Sequence, residues 1–288
     1  MSNKDKAYPK REPDTFAKKL LGDGLITTTE EVISRTAFGS SYLEGQNIFE
    51  MMMKLAFLLS KNALTVRIPG ISKIFKTSDE MEAEKLEKGV YASIMDIAKK
   101  REKKRISVDD LVDECKTFYI AGQETTNTLL AWTVFLLALH TNWQEEARKE
   151  VMELFGKQTP NLDGITKLKT MSMIFNESLR LYPPVAGFAR KVGREVRLGN
   201  VIVPANVALR FAEGVAKATD NNIGAFVPFG IGPRSCVGLN FAINEAKIAL
   251  SMILQRYSFT LSPGYVHSPI QYVTVRPQHG VQVMLHPL

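Results

Sequence analysis

The 288-residue chain contains little cysteine and no apolar run long enough to cross a bilayer. Its two cysteines, Cys115 and Cys236, lie far apart, which excludes a disulfide framework and a paired-cysteine zinc site and favours a reducing compartment. The longest strongly apolar run, residues 129–139, is shorter than the about 20 residues that a spanning helix needs. The polar start, residues 1–14, lacks the apolar core of a signal peptide. We therefore expect no membrane-spanning segment in the chain as given.

The chain also has only a small excess of positive charge. The formal net charge is +7, and the basic residues are spread along the chain without interleaved aromatic residues. This pattern excludes a nucleic-acid platform and predicts only a mild preference for acidic partners. The densest basic run, KKREKKR at 99–105, has two interpretations: a docking site for an acidic protein or an anionic lipid surface, or the solvated end of a helix. We favour the solvated end.

Apolar residues recur mainly at helical spacing, so the sequence predicts a mainly α fold with small β elements. A residue before proline leaves helical geometry, which ends one helix at Tyr182. The helix that opens at SVDD is on the order of 50 Å long at 1.5 Å per residue. Helices are expected at 30–60, 78–105, 107–140, 142–155 and 239–256, strands from 190 to 211, and a terminal hairpin that turns at 277–280.

One loop, PFGIGPRSCVG at 228–238, is unusually rich in glycine and proline. Gly230 and Gly232 permit tight turns and a close approach of the backbone to a flat partner, and the prolines stiffen the path. Cys236 precedes a predicted helix start, where unpaired N–H groups favour a thiolate that can ligate a metal. Arg234 can pair with a carboxylate on the bound group. The alternative is an inert, buried cysteine in a turn.

The middle of the longest predicted helix, AGQETTNT at 121–128, breaks local helix rules. Gly122 costs about 1 kcal/mol relative to alanine, and the hydroxyls of Thr125 and Thr126 can bond back to carbonyls and loosen the helix. Such breaks are expected at functional sites, although a packing kink is an alternative. A widened groove beside a hydroxyl and the Glu124 carboxylate suits oxygen activation, because dioxygen needs space over a metal and a short proton relay.

A third motif, NESLR at 176–180, lies in a helix that is apolar on nearly every side. Such a helix is expected to be buried, so Glu177 and Arg180 are predicted to form a desolvated ion pair that needs further partners. The alternative is an exposed pair worth a few tenths of a kcal/mol.

These motifs together resemble the cytochrome P-450 family of haem-thiolate monooxygenases. Phe229, Gly232, Arg234, Cys236 and Gly238 match the family pattern F-x-x-G-x-R-x-C-x-G, in which the cysteine is the axial ligand of the haem iron. The resemblance implies an incomplete P-450 fold in which these residues bind haem b. It implies that Cys236 is the metal ligand.

The same resemblance assigns roles within the other two motifs. Residues 121–125 match the pattern A/G-G-x-D/E-T, which implies that Glu124 and Thr125 are catalytic residues that organise proton delivery. Related haem-thiolate lyases and isomerases often lack this pair, so its presence favours monooxygenation. The E-x-x-R pair is a structural ion-pair centre in the family, and Arg210 is the apparent third member. Arg190 is a candidate for a haem propionate.

The resemblance covers about residues 30–288, which implies an N-terminal remnant at 1–30 and a partial catalytic domain at 31–288. It implies electrons from an NADPH-dependent reductase, O2 as oxidant and insertion of one oxygen atom into a hydrophobic small molecule. It is closest to plant members that act on terpenoids, steroids or similar compounds, with residues 185–188 and the tip of the terminal hairpin lining the substrate pocket. Family members are anchored to the endoplasmic reticulum membrane and face the cytosol.

Several expected features are absent. The anchor is missing, neither Trp132 nor Trp143 has an arginine four residues later to form the family's W-x-x-x-R helix, and the proline and acid expected between Ala208 and Arg210 are missing. We interpret the chain as a truncated, internally shortened family member. An alternative is a catalytically inactive remnant without stable haem binding that associates with other proteins. A thiol redox protein that uses Cys236 has no resolving cysteine nearby.

Overall fold

The computed structural model describes residues 42–62, 77–99, 113–114, 116–118, 120–187, 189–191, 194–198, 201–203, 208–210, 226–271 and 273–288. The helices are α1 (Tyr42–Asn62), α2 (Ser78–Lys99), α3 (Thr125–Leu139), α4 (Thr141–Phe155), α5 (Leu162–Ile165), α6 (Lys169–Leu181) and α7 (Leu239–Leu254), with a π-helix at Ile120–Glu124. The strands are β1 (Ala189–Lys191), β2 (Val196–Leu198), β3 (Val201–Val203), β4 (Ala208–Arg210), β5 (Tyr257–Leu261), β6 (Pro269–Gln271), β7 (Val275–Pro277) and β8 (Val283–Pro287). The mainly α class with small β elements is confirmed.

Helix α3 is the central element of the fold. Its sequence, TTNTLLAWTVFLLAL, is apolar on every face, which is the pattern of a helix surrounded by protein. It packs against α4, α6, α7, β5 and β7. Residues 113–114 and 116–118 are also helical, which agrees with the predicted long helix over 107–140 within the described residues. The π-helix lies directly before α3 and packs against it.

One hydrophobic cluster joins α3 to α4, α6, α7 and the β5–β8 sheet. Its largest fully buried side chains include Phe175 on α6 and Phe259 on β5. Phe226 and Phe229, which begin the glycine-rich loop, are half-buried and pack against the same cluster. The loop is therefore anchored to the core at its start.

Buried polar side chains join α4 to the end of α7 and to β5. Arg148 is 8% exposed, and its guanidinium donates to the carbonyls of Leu254 at 3.1 Å and Tyr257 at 2.9 Å. The Gln144 side chain donates to the Phe259 carbonyl at 2.8 Å and accepts from the Phe259 N–H at 2.9 Å. Since a buried polar group without a partner is costly, these bonds fix the register between the elements.

A carboxylate from α4 caps the start of α6. Glu150 accepts hydrogen bonds from the backbone N–H groups of Lys169, Thr170 and Met171 at 2.7, 2.8 and 3.0 Å. An anion at this position satisfies unpaired N–H groups and interacts favourably with the helix dipole. The contact fixes the start of the helix that carries the E-x-x-R motif.

Aromatic rings hold the other end of α6 against α3. Tyr182, the residue directly after α6, stacks on Trp132 with ring centroids 4.1 Å apart. The ring of Phe135 stacks on His267 at 4.9 Å. The helix ends at Leu181, as the following Tyr-Pro-Pro sequence predicts. These contacts position the segment that begins at Pro183.

The terminal strands differ from the sequence prediction. A turn does occur at 277–280, where Gly280 has a φ of 67° and its N–H donates to the Pro277 carbonyl. The strands on either side do not form a hairpin, however: β7 pairs antiparallel with β6, and β8 pairs antiparallel with β5. The partner of β8 is set by burial, because Phe259 and Val283 on these strands both belong to the core cluster.

The remaining predictions have mixed outcomes. Helices at 78–99, 141–155 and 239–254 agree with those expected, and β2 and β3 form the antiparallel pair predicted around residue 200. The domain boundary at residues 30 and 31 lies outside the described residues, as does most of the basic run at 99–105. Within the described part of the chain, no helix combines the length and hydropathy that a membrane crossing requires.

Candidate functional site

The glycine-rich loop closes on itself through backbone hydrogen bonds. The N–H of Cys236 donates to the carbonyl of Phe229 at 2.8 Å, and the N–H of Ser235 donates to the carbonyl of Gly232 at 3.0 Å. Gly230 and Gly232 have φ values of 72° and 82°, which side-chain-bearing residues rarely adopt. The predicted tight turns are present, and they hold Cys236 at a fixed point directly before α7.

The sulfur of Cys236 lies on an uncovered surface. Cys236 is a free, exposed cysteine, and the apolar side chains beside it are exposed too: Ile231 is 76% exposed and Val237 is 91% exposed. A Cβ added to Gly238 would lie 3.9 Å from the sulfur, in van der Waals contact with it. The absence of this side chain leaves the space beside the sulfur open. The part of the alternative that places the cysteine in a buried turn is therefore wrong.

The chemistry of the available donors tests whether this surface fits a haem. No group of three or more His, Cys, Asp or Glu side chains that could hold a metal ion occurs among the described residues. A metal bound by Cys236 would therefore need most of its ligands from the bound group itself. An iron porphyrin meets this requirement, because the macrocycle supplies four nitrogen ligands and the protein supplies an axial one. An exposed thiol with an exposed apolar surround fits such a flat, apolar group.

The predicted irregularity of the long helix is also present. Residues 120–124 form a π-helix, a conformation that is typical of functional sites. The hydroxyl of Thr125 donates to the carbonyl of Ala121 at 2.5 Å, which is the back-bonding that the sequence predicted. The side-chain oxygens of Gln123 and Thr126 are buried and have no hydrogen-bond partner among the described residues. The wider π-helical turn therefore coincides with buried side-chain oxygens that have no hydrogen-bond partner among the described residues.

One stripe of this helix is not covered by the protein. Phe118, Ala121, Gly122 and Thr125 are spaced to share a helix face. Phe118 is 43% exposed, Ala121 is exposed, and the other two are half-buried. Helix α7, which follows the cysteine loop, packs against α3, which follows the π-helix.

Glu124 differs from its neighbour Thr125, because it is buried at 4% exposure. Its Oε1 accepts a hydrogen bond from the Thr274 hydroxyl at 2.7 Å and lies 3.6 Å from Nη1 of Arg276. Both partners lie at the β7 strand, far along the chain. Sequence analysis did not identify Thr274 or Arg276, because no local pattern links residues 150 positions apart.

Glu177 and Arg180 form a bidentate ion pair, with bonds of 2.8 and 2.6 Å. The hydrogen bond to Arg180 lowers the pKa of the Glu177 carboxyl, and it raises the pKa of the guanidinium in return. The prediction that the pair is desolvated is wrong, since the two side chains are 52% and 46% exposed. Helix α6 buries one face only, through Met171, Ile174, Phe175, Ser178 and Leu179.

The ion pair lies beside the start of the cysteine loop. It lines an open groove of about 250 Å³ together with Met173, Asn176 and Phe226. Phe226 lies three residues before Phe229, so the E-x-x-R surface and the loop are contiguous. The predicted third member of the centre, Arg210, lies on β4 opposite Ala189 of β1.

For Arg190 and Arg210, the two remaining predicted site residues, the structure describes only the backbone position. Arg190 lies opposite Leu209 in the antiparallel β1–β4 pair. The side chains of Arg190 and Arg210 lie outside the described residues, so their roles at a haem propionate and at the ion pair stay predictions.

Glu245 is a further unusual residue that sequence analysis did not single out. It lies on α7, it is 8% exposed, and both of its carboxylate oxygens lack a hydrogen-bond partner among the described residues. Burial raises the pKa of this carboxyl to about 8, so the neutral form dominates at pH 7. A visible signal existed, because an acid in the apolar stretch FAINEAKIAL breaks the pattern of a core helix.

Comparisons with known proteins agree with these motifs. The Cytochrome P450 family model matches residues 25–212 and 208–285. Cytochrome P450 CYP749A22 of Panax ginseng is 47% identical over 394 residues, which cover 99% of this chain and 75% of that protein. The 11-oxo-beta-amyrin 30-oxidase of Glycyrrhiza uralensis is 40% identical over 320 residues, which cover 92% of this chain and 61% of that protein.

Solved structures show the same fold. Retinoic acid bound cyanobacterial CYP120A1 is similar with a TM-score of 0.79 and 21% sequence identity, over 92% of this chain and 69% of that one. The chain thus spans only part of the length of its relatives. The match to the family model covers most of the chain, and the motif residues lie within it. The chain therefore belongs to the cytochrome P450 family.

Proposed function

We propose that the chain is a haem-thiolate monooxygenase that inserts one oxygen atom from O2 into a hydrophobic small molecule. The observation that carries this proposal is the free, exposed thiol of Cys236 on a loop fixed by two glycines with positive φ. A thiol that is rigidly held, uncovered and surrounded by exposed apolar side chains suits an axial ligand better than a core residue.

The chain's own residues would divide the work as follows. Cys236 would hold the iron, and the open space beside Gly238 would admit the macrocycle. Bound haem supplies the iron centre at which dioxygen is activated. The uncovered stripe of the π-helix would leave room for dioxygen, and Thr125 and Glu124 would hold and deliver protons there. The exposed Arg234 would pair with a carboxylate of the haem.

The electron source and the location are proposed from family membership. An NADPH-dependent reductase would supply the electrons, and attachment to the endoplasmic reticulum membrane is the family's usual arrangement. Exposed apolar residues at the cysteine loop, Ile231 and Val237, support a surface that another molecule covers.

The substrate class is proposed from the relatives. One relative is, by its name, an oxidase of 11-oxo-beta-amyrin, which is a triterpenoid. A terpenoid, steroid or similar apolar compound therefore suits this chain. Residues 185–187, which follow the ordered Pro183-Pro184 step, and the turn at 277–280 would line its pocket.

A second candidate is an inactive remnant that does not retain haem. Two observations favour it. The alignment with the Panax ginseng relative spans 394 positions although this chain has 288 residues, so part of that relative has no counterpart here. The family match also breaks into two segments that overlap at 208–212, where the sequence predicted a gap. Both observations support an internally shortened chain.

One experiment separates the two candidates. The purified chain is titrated with haem, reduced and exposed to carbon monoxide, and the Soret band is recorded. The monooxygenase proposal expects the red-shifted band of thiolate ligation, its loss in Cys236→Ala and its retention in Ser235→Ala, which changes the neighbouring exposed residue. Absence of the band from the unmodified chain would favour the remnant.

A further inference from the structure

Three side chains on one stripe of the central helix bond to consecutive residues at the β7 strand. Glu124, Thr128 and Trp132 are spaced four residues apart. Glu124 contacts Thr274 and Arg276, Thr128 contacts Thr274 through its hydroxyl at 3.1 Å, and the indole N–H of Trp132 donates to the Val275 carbonyl at 2.6 Å. This row of contacts, which we name the β7 clamp, joins the π-helix to the C-terminal part of the chain.

The direction of the hydrogen bonds in the β7 clamp follows from proton counting. A threonine hydroxyl has one proton to donate. The Thr274 hydroxyl gives its proton to Oε1 of Glu124, so the proton between the two threonines comes from Thr128. The chain of donation therefore runs from Thr128 to Thr274 to Glu124 and ends on the carboxylate.

Because these side chains are buried, their hydrogen bonds fix the orientation of the Glu124 carboxylate. Thr274 is 1% exposed, Thr128 is 3% exposed and Glu124 is 4% exposed, so water does not replace a lost bond cheaply. The contacts from Thr274 and from the Arg276 guanidinium go to the same oxygen, Oε1.

The β7 clamp also reaches the segment proposed to line the substrate pocket. The N–H of Val275 donates to the carbonyl of Pro184 at 2.9 Å, directly before residues 185–187. The carbonyl of Val275 accepts a hydrogen bond from the Trp132 indole N–H. The Val275–Pro184 hydrogen bond thus connects the chain directly before residues 185–187 to the strand that contacts Glu124.

We propose that Thr274 and Arg276 are positioning residues that fix Glu124 for proton delivery and connect its orientation to the substrate-lining segment. This inference rests on the proposed monooxygenase function. Thr274 acts through Glu124 and does not touch the reacting atoms, so its removal is expected to impair proton delivery while haem binding persists.

The test compares Thr274→Val with two matched variants. Thr274→Ser keeps the donor. Thr133→Val removes a hydroxyl on α3 that is as deeply buried as that of Thr274 and that donates to the Leu129 carbonyl at 2.8 Å. Each variant is loaded with haem and given a surrogate reductase and NADPH without substrate, and the peroxide released per NADPH is measured. Thr274→Val is expected to raise this fraction roughly twofold or more, Thr274→Ser to restore it, and Thr133→Val to leave it unchanged.

A second readout needs no haem. The infrared carboxylate band of Glu124 is assigned by its loss in Glu124→Gln, and it is expected to shift in Thr274→Val and to stay in place in Thr133→Val. One outcome would overturn this inference and leave the proposed function standing. In it, the unmodified chain shows the thiolate band, and Thr274→Val and Thr133→Val release equal fractions of peroxide. An unshifted infrared band in Thr274→Val would also overturn it. Absence of the thiolate band would overturn the proposed function, while the infrared result would still decide whether Thr274 orients the carboxylate.

Discussion

Two regions of the molecule differ in which groups they satisfy and which they expose. The first, which we name the closed side, is the interface of Gln144, Arg148 and Glu150 on α4 with α6, α7 and β5. Its polar side chains, of which Gln144 and Arg148 are buried and Glu150 is half-buried, bond to backbone groups of neighbouring elements. The second, the open side, comprises the loop 229–238 and residues 118–125. It exposes a free thiol, apolar side chains and an uncovered helix stripe.

The difference separates what the chain needs to fold from what it needs to bind. On the closed side, removing a hydrogen bond of Gln144 or Arg148 leaves a buried or partly buried group without a partner, so substitutions are expected to act on stability. On the open side, exposed apolar surface is unfavourable by about 25 cal/mol per Å² until it is covered. Substitutions there are expected to act on haem binding and to leave the haem-free chain nearly as stable as before.

Arg148→Met gives the largest expected effect on stability. It removes the donors to the buried Leu254 carbonyl and to the partly buried Tyr257 carbonyl. We expect a loss of about 4 kcal/mol in the free energy of unfolding, measured by urea denaturation. Arg234→Met on the open side serves as the control and is expected to change it by less than about 0.5 kcal/mol. Equal losses in both variants would remove the distinction between the two regions.

Glu245→Gln tests the one carboxyl on α7 that breaks the rule of satisfied polar groups. Its folded pKa of about 8 lies above the ordinary 4.5, so the unfolded state loses its proton first as pH rises. The contribution of Glu245 to stability should therefore be greatest below pH 4.5 and be lost progressively between there and pH 8. Replacement by glutamine should remove this slope and stabilise the chain at pH 7 by about 3 kcal/mol. Parallel stability curves from pH 4 to pH 8 would contradict the burial of an unpartnered carboxyl.

Gly232→Ala and Gly156→Ala form a matched pair that separates backbone strain from site chemistry. Both glycines have positive φ, and an added Cβ meets nothing within 4 Å at either position. Each substitution is expected to lower stability by about 1–3 kcal/mol, because a backbone with positive φ disfavours a side chain. Only Gly232→Ala should weaken haem binding in a spectroscopic titration. A similar loss of haem affinity in Gly156→Ala would show that the loop has no special role.

Glu177→Gln has the smallest expected effect. The pair with Arg180 is exposed, and exposed pairs contribute about 0.2–1 kcal/mol that added salt reduces. The Arg180 hydrogen bond lowers the pKa of Glu177, so its contribution is present above pH 4.5 and is lost as pH falls through the lowered pKa. Denaturation at low and high salt checks this. A loss of several kcal/mol that persists at high salt would restore the predicted desolvated pair.

Local sequence signals predicted most of the elements. Helix ends before Pro183, the turns at Gly230 and Gly232 and the irregular helix at 120–124 all follow from backbone preferences of single residues, which act within a few positions. The thiol loop was predicted for the same reason. Its function then came from the resemblance of its motif, since glycine and proline preferences alone do not identify a haem ligand.

Long-range choices were not predictable. The pairing of β8 with β5 depends on burying Phe259 and Val283 together, and the Glu124 bond to Thr274 joins residues 150 positions apart. The exposure of Glu177 has the same origin, because the apolar pattern of α6 does not specify which face meets α3 and α4. Sequence periodicity reports local geometry, whereas the choice of partner is made by packing.

Hydrogen–deuterium exchange with and without haem tests the central claim most directly. The account predicts that haem slows exchange at the open side, in residues 229–238 and 118–125, and that exchange in α4 and β5 on the closed side stays the same. Cys236→Ala should abolish the difference. Protection of α4 and β5 by haem, or an identical pattern of protection in Cys236→Ala, would contradict the assignment of the open side as the haem site.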